Sequence, residues 1–409
     1  MQAQQTPSQT YEVDYSVLET LTTEGLASLL TQLNQPDTNV IKQATALLKH
    51  YFKTVKALEN LLILMATHSE QVVRQMATVY LRKLIGKHWM MLPTDDQIKT
   101  KNLLLERFLN EPVTVVKKNI ADVIGQLGKL LIPQKQWPEL FQLVFEYTQN
   151  DDLQKKELAM MLLSVMIEYF SASDISTYYD QLNPIIKQYL QSQHAQLKRL
   201  AVITVNNLTQ TGHALKVLKQ YPDLIPLVLQ AIDISQEDLI QTIFETLTDF
   251  FETPKVLRPH LSLLIDAAVN LSANADMALN VRSTTLFFLE QLGDTFGKYL
   301  VKRDLNKLQQ IIECGCRIAC EDVSEYPDEN ENPHELALEM LYNYASEMPN
   351  EIAYPLFKSA IVELCANQQD PLKRKAGLKI LGQVCDGDAL ADPIKDDVDL
   401  FTEILVRSL

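Results

Sequence analysis

The densest set of chemically active side chains lies in EDVSEYPDENENPHE, residues 321–335. Glu321, Asp322, Glu325, Asp328, Glu329, Glu331 and Glu335 are seven carboxylates with no Lys or Arg among them. Such a run attracts basic protein surfaces and makes their association fast and salt-dependent. Pro327 and Pro333 break helix toward its two ends, so it reads as an acidic loop. Asp238, Glu245, Asp249 and Glu252 form a second acidic set. They recur at helical spacing on one face, opposite Ile240, Ile243, Phe244, Leu247 and Phe251.

Catalytic chemistry finds less support. Cys314, Cys316 and Cys320 contain no paired Cys-x-x-Cys, and Cys316 and Cys320 fall one turn apart on an apolar helix, as buried small residues do. Gly293-Asp-Thr-Phe-Gly297-Lys298-Tyr299 imitates a phosphate loop. Its glycine spacing is one short, Tyr299 stands where Ser or Thr is needed, and no strand precedes it. It reads as a helix end followed by a turn. The histidines form no His-Glu-x-x-His pair on a helix. The expectation is a non-enzyme with no metal and no cofactor.

The elements that position these groups repeat. In HSEQVVRQMATVYLRKLIGKHW, residues 68–89, apolar residues recur at three- and four-residue steps along one side of a helix. The design returns at 115–129, 153–166, 197–208, 280–292 and 371–384. A small residue serves as a ruler: Ala44, Ala77, Ala121, Ala159 and Ala201 lie 33, 44, 38 and 42 residues apart. Thr285 follows after 84 and Ala376 after a further 91, two units each. A period of about 41 residues fits two-helix HEAT units rather than the shorter tetratricopeptide or ankyrin units. One such unit cannot bury its own apolar face, so the units must stack.

Composition agrees. A chain of 409 residues exceeds the roughly 250–300 at which single cores stop growing, and a solenoid escapes that limit. The net charge of −15 gives no reason to bind nucleic-acid backbones and favours basic partners. Five cysteines without a disulfide pattern indicate a reducing compartment, and neither a signal peptide nor a membrane span is visible. The fold expected is all-α, a right-handed α-solenoid of about nine to ten two-helix HEAT repeats.

Ala44–Leu48 followed by VVRQMATVYLRKLIGKHW resembles the N-terminal domain of the importin β superfamily of nuclear transport receptors. The acidic run followed by DPLKRKAGLKILGQVCDGDALADPI, residues 370–394, is similar to the importin-4 branch. The resemblance implies a Ran-facing surface on the second helices of units one to four, with Arg74, Lys83, Lys117 and Lys118 as its basic positions. It also implies a concave surface for basic cargo such as ribosomal proteins and histones, docking of Phe-Gly nucleoporins, cargo release by Ran-GTP, and shuttling between cytoplasm and nucleus. A monomer is expected, with no nucleic acid or membrane partner. A HEAT scaffold without Ran binding is the alternative.

The resulting organisation is a disordered lead at 1–13, importin N-terminal-like repeats 1–2 at 14–92, and repeats 3–8 through the first helix of the eighth at 93–320. The acidic loop follows at 321–335, then the rest of repeat 8, repeat 9 and the start of a tenth at 336–409. DLFTEILVRSL still carries Leu400, Phe401, Ile404, Leu405 and Val406 where a terminal repeat needs a polar face, so the sequence reads as a fragment of a longer receptor.

Overall fold

The computed structural model describes residues 14–169, 172–210, 223–322, 332–385 and 390–408. The 1–13 lead, the start of the sixth unit, residues 386–389, and Glu325, Asp328, Glu329 and Glu331 lie outside the described residues. Those described are helices and short turns, with no strand among them. Two compact units divide the chain, Met1–Thr177 and Tyr178–Leu409.

The first unit opens with α1 (Thr23–Gln32) and α2 (Thr38–Tyr51). Ser16–Leu33, readable as one helix, is broken before α1, where the Thr22 hydroxyl accepts the Gly25 N–H and starts the helix anew. Three antiparallel pairs follow: α3 (Val55–Thr67) with α4 (Gln71–His88), α5 (Thr94–Asn110) with α6 (Thr114–Leu131), and α7 (Pro138–Thr148) with α8 (Leu153–Tyr169). The second helices stack on one another, α4 on α6 and α6 on α8. The boundary between the two units falls within α9 (Ala172–Leu190).

The second unit continues with α10 (Ala195–Gln210), α11 (Leu224–Gln230) and α12 (Glu237–Asp249). Then come α13 (Leu261–Ser272) with α14 (Leu279–Arg303), α15 (Leu305–Ile318) with α16 (Pro333–Glu347), and α17 (Asn350–Ala366) with α18 (Pro371–Cys385). Short α19 (Ala391–Asp396) and α20 (Val398–Ser408) divide what the sequence presents as one helix. Again the second helices form the stack, α10 on α12 on α14 on α16 on α18. Ala44, Ala77, Ala121, Ala159, Ala201, Thr285 and Ala376 are all at most 3% exposed, so every small residue of the ruler is buried in the stack.

An arginine at the fourth position of a second helix ties adjacent repeats together. Arg74 in α4 donates from Nη1 to the His68 and Ser69 carbonyls at 3.0 and 2.9 Å, beyond the end of α3. Its Nε and Nη2 grip the Glu111 carboxylate, at the end of α5, at 3.3 and 2.9 Å. Arg282 in α14 repeats this, donating to the Ser272 carbonyl at 2.9 Å and to both oxygens of Glu321 at 2.6 and 2.8 Å. Arg374 in α18 donates to the Asn367 and Gln368 carbonyls at 3.0 and 3.1 Å. Helix ends leave carbonyls without intrahelical partners, and a guanidinium fork satisfies them while pairing with a carboxylate of the next repeat. Burial alone would raise the Glu111 carboxyl; hydrogen bonds from Arg74 and the Val113 N–H outweigh it and hold the carboxyl below its ordinary range.

The structure corrects the reading of Gly293–Tyr299. These residues lie inside α14, which continues to Arg303; the turn comes at Asp304, whose side chain caps α15. Gly293 is there because α16 comes close: a Cβ on it would sit 2.8 Å from the Tyr344 ring, whose hydroxyl donates to the Leu289 carbonyl at 2.8 Å. A Cβ on Gly297 would meet nothing within 4 Å.

Two predictions test this packing. Gly293→Ala lowers the melting temperature, because overpacking costs about 1–3 kcal/mol. Gly297→Ala raises it by removing a glycine penalty of about 0.8–1 kcal/mol. Equal shifts would mean that the Tyr344 contact does not constrain the stack. In urea unfolding, Glu111→Gln costs about 3–5 kcal/mol, the penalty for breaking one half of a buried pair. Asp96→Asn, at the exposed Lys99–Asp96 pair, leaves the transition in place. Similar midpoints for the two variants would remove the ladder as the inter-repeat tie.

Candidate functional site

The four basic positions fall in different environments. Arg74 is 9% exposed and its guanidinium is bound to Glu111 and two carbonyls. It is therefore not presented to a partner, a departure from its reading as a Ran-facing cation. Lys83 is exposed and lines an open cleft of about 360 Å³ with Val72, Met76, Val79 and Tyr80. Its ammonium lies 5.5 Å from the Tyr80 ring centroid. Lys118 on α6 is exposed and Lys117 half-buried.

The ends of the acidic connection are also engaged. Glu321 belongs to the arginine ladder through Arg282. Glu335 accepts from the Lys379 ammonium at 3.2 Å. Asp322 has an interaction partner. Neither Glu321 nor Glu335 is an uncompensated charge, because each is matched by a cation on a second helix of a neighbouring repeat. Cys314 and Cys316 are buried and Cys320 partly so. Burial pushes the Cys316 thiol up to about 12 and the Cys320 thiol up to about 11, so both are thiols and not thiolates. Among the described residues no group of three His, Cys, Asp or Glu side chains could hold a metal ion.

The acidic face of α12 has a different character. Glu245, Asp249 and Glu252 come together, while Asp238 stands apart beside Arg199 at 3.8 Å. Burial raises the Asp249 carboxyl, and Glu252 and Glu245 raise it further against bonds from Thr209 and Gln210. On α14, burial raises Glu290 and Asp294, helped by Glu339 and Glu347 of α16 respectively. Among the described residues no Lys or Arg pairs with Glu245, Asp249, Glu290 or Asp294. The stacked second helices thus carry a belt of carboxylates whose charged neighbours are other carboxylates. An open cleft of about 320 Å³ indents it, lined by Asn206, Gln210, Glu245, Asp249, Thr284 and Phe287.

Sequence reasoning reached the α12 part of this belt and missed Glu290, Asp294, Glu339 and Glu347. A signal existed: Asp249 and Glu290 lie 41 residues apart, one repeat period. The charge is also uneven. Residues 1–177 hold 17 Lys and Arg against 19 Asp and Glu, and residues 178–409 hold 20 against 33. Nearly all of the net negative charge therefore belongs to the second unit.

Residues 44–110 match the family model described as Importin-beta N-terminal domain, and residues 112–267 match one described as IPO5-like, TPR repeats. The two matches together support an importin-β family member. Importin-4 from Mus musculus is 23% identical to this chain over 382 residues, covering 89% of it and 35% of the mouse protein. Probable importin subunit beta-4 from Schizosaccharomyces pombe is 34% identical over 144 residues, 35% of this chain and 14% of that protein. Among solved structures, Kap121p bound to RanGTP aligns with a TM-score of 0.76 at 17% identity, covering 94% of this chain and 38% of the other. The chain spans about a third of the length of the mouse relative.

His334, in the first turn of α16, lies against Lys379 of α18. Its ring is buried, Nε2 lies 2.8 Å from the Lys379 ammonium, and Nδ1 has no hydrogen-bond partner among the described residues. Burial lowers its pKa, Lys379 and Lys375 lower it further, and Glu335 and Glu321 oppose them. The folded chain therefore holds His334 neutral where an unfolded chain, with a pKa of about 6.5, binds a proton. The unfolded state binds more protons in that window, so stability is full above about pH 6.5 and falls as pH drops toward the lowered native pKa. His334→Gln flattens this part of the stability–pH curve in urea unfolding; an unchanged slope would remove His334 as its source.

Proposed function

We propose that this chain is the cargo- and Ran-binding part of a nuclear transport receptor for basic proteins. The observation that carries the reading is the carboxylate belt on α12, α14 and α16. Clustered like charges cost stability, and they are retained where a cationic partner repays that cost on binding. The importin-β family matches support the transport context. The Kap121p neighbour is recorded bound to RanGTP, which supports Ran as a partner here.

In this reading a basic cargo engages the belt of the second unit in the cytoplasm. Ran-GTP engages the first unit around Lys83, Lys117 and Lys118, with Arg74 holding the repeats from beneath. Cargo release is then negative coupling between two ligands of one array. Ribosomal proteins and histones have the charge that such a belt accepts. Phe-Gly nucleoporins complete the partners of a receptor that shuttles between cytoplasm and nucleus.

Titration of the purified chain with Ran loaded with GTP or GDP tests this reading. The GTP form binds more tightly, and Lys83→Glu with Lys118→Glu weakens that binding by about tenfold, equivalent to about 1.4 kcal/mol. Equal binding of both nucleotide forms, or none, would favour a HEAT scaffold without a transport cycle.

A further inference from the structure

We propose that His334 is a proton-operated switch at the joint between α16 and α18. Neutral, it accepts a hydrogen bond from Lys379 and ties the two helices. Protonated, it exchanges Lys379 for Glu335 and the tie opens. The inference is independent of the transport reading. It also goes beyond the effect of His334 on overall stability, because it names a local rearrangement within the folded chain.

The geometry fixes the direction of the contact. Nε2 of His334 lies 2.8 Å from the Lys379 ammonium, within hydrogen-bond distance. An ammonium has three donors and no acceptor, so Nε2 is the acceptor and the ring proton sits on Nδ1. Nδ1 is buried and has no hydrogen-bond partner among the described residues. The ring is therefore held in the tautomer that leaves its own N–H unsatisfied, and the contact with Lys379 offsets that penalty.

The surroundings decide what a proton from solvent does. It adds to the Nε2 lone pair, the one that receives the Lys379 N–H. The ring then carries a positive charge and two donors, and the ammonium beside it has nothing to donate to. One of the two like charges has to move. The ring is 2% exposed, and Asn332, itself 4% exposed, fixes its backbone by accepting the His334 N–H at 2.9 Å. Lys379 is the mobile partner, with a side chain 33% exposed on a flexible stem. Glu335 is placed to succeed it: Oε1 lies 3.8 Å from Nε2 on a side chain that is 55% exposed. A shift of about 1 Å closes a charge-assisted hydrogen bond there. The charges acting on the ring are Lys379 and Lys375 of α18, Glu335 on its own helix, and Glu321 past the end of α15, which Arg282 of α14 holds. Burial and the two lysines oppose the proton, and the two carboxylates favour it.

The test uses the full chain with its imidazoles labelled with nitrogen-15, so that NMR reads tautomer and protonation. The His334 signal is identified by its loss in His334→Gln. At neutral pH it shows the Nδ1–H tautomer, and it protonates below the ~6.5 of an ordinary histidine. Lys379→Met moves that midpoint up and Glu335→Gln moves it down. Hydrogen exchange of the first-turn amides of α16 reads the release. Comparing two chains at the same pH cancels the intrinsic pH dependence of exchange. At about pH 7 the wild-type chain and His334→Gln, whose amide oxygen accepts from Lys379 at any pH, exchange alike; at about pH 5.5 the wild-type amides exchange several-fold faster. An Nε2–H tautomer, a midpoint unmoved by Lys379→Met, or equal exchange in the two chains at every pH would overturn the switch.

Discussion

The architecture depends on the arginine at the fourth position of certain second helices. A HEAT array has no sheet to align its units, and every helix end leaves carbonyls without partners. Arg74 and Arg282 meet both needs with one side chain. Each satisfies carbonyls at the turn of its own repeat and grips a carboxylate at the corresponding turn of the next. The fork is rigid and permanently charged, so it sets the distance between successive turns and not merely their attraction. A lysine could donate to a carbonyl or reach a carboxylate, but it could not hold the same geometry on both.

Against that background the carboxylates of α12, α14 and α16 are exceptional. Several acids elsewhere are compensated: Glu111 by Arg74, Asp266 by Lys307, Asp397 by Lys358. In the belt, Asp249 has Glu252 and Glu245 as charged neighbours, Glu290 has Glu339 and Asp294, and Asp294 has Glu347, and each is raised above its ordinary range. A fold that neutralises its acids with cations where the repeats must be tied, and leaves them clustered where the second helices are stacked, separates the charge that stabilises from the charge that is available. This separation is the basis for assigning the belt to a basic partner.

Charge sign alone does not make the distinction. Glu321 and Glu335 belong by sequence to the densest acidic run, yet Arg282 and Lys379 compensate them, while Glu290 and Asp294, scattered in an amphipathic helix, are left without cations. Arg74 is a similar case. It sits in a polar-looking position of a helix whose apolar spacing is regular, and its partner Glu111 is 37 residues away. No local pattern reveals a pair that forms only when two repeats are stacked.

The sequence by itself determined the all-α class, the two-helix period, the small residues buried in the stack and the likeness to the importin-β family. These follow from apolar spacing and repetition, which act over a single turn or a single repeat and are written in neighbouring residues. It erred where a break depends on the surroundings: the glycines of 293–297 look like a helix end until Tyr344 of α16 is seen filling the space above one of them. Tertiary structure alone decided which charges are used up and which remain. Burial, desolvation and pairing depend on what lies across the interface, one repeat or about 41 residues away, so the availability of a carboxylate is a property of the stack and not of the helix that carries it.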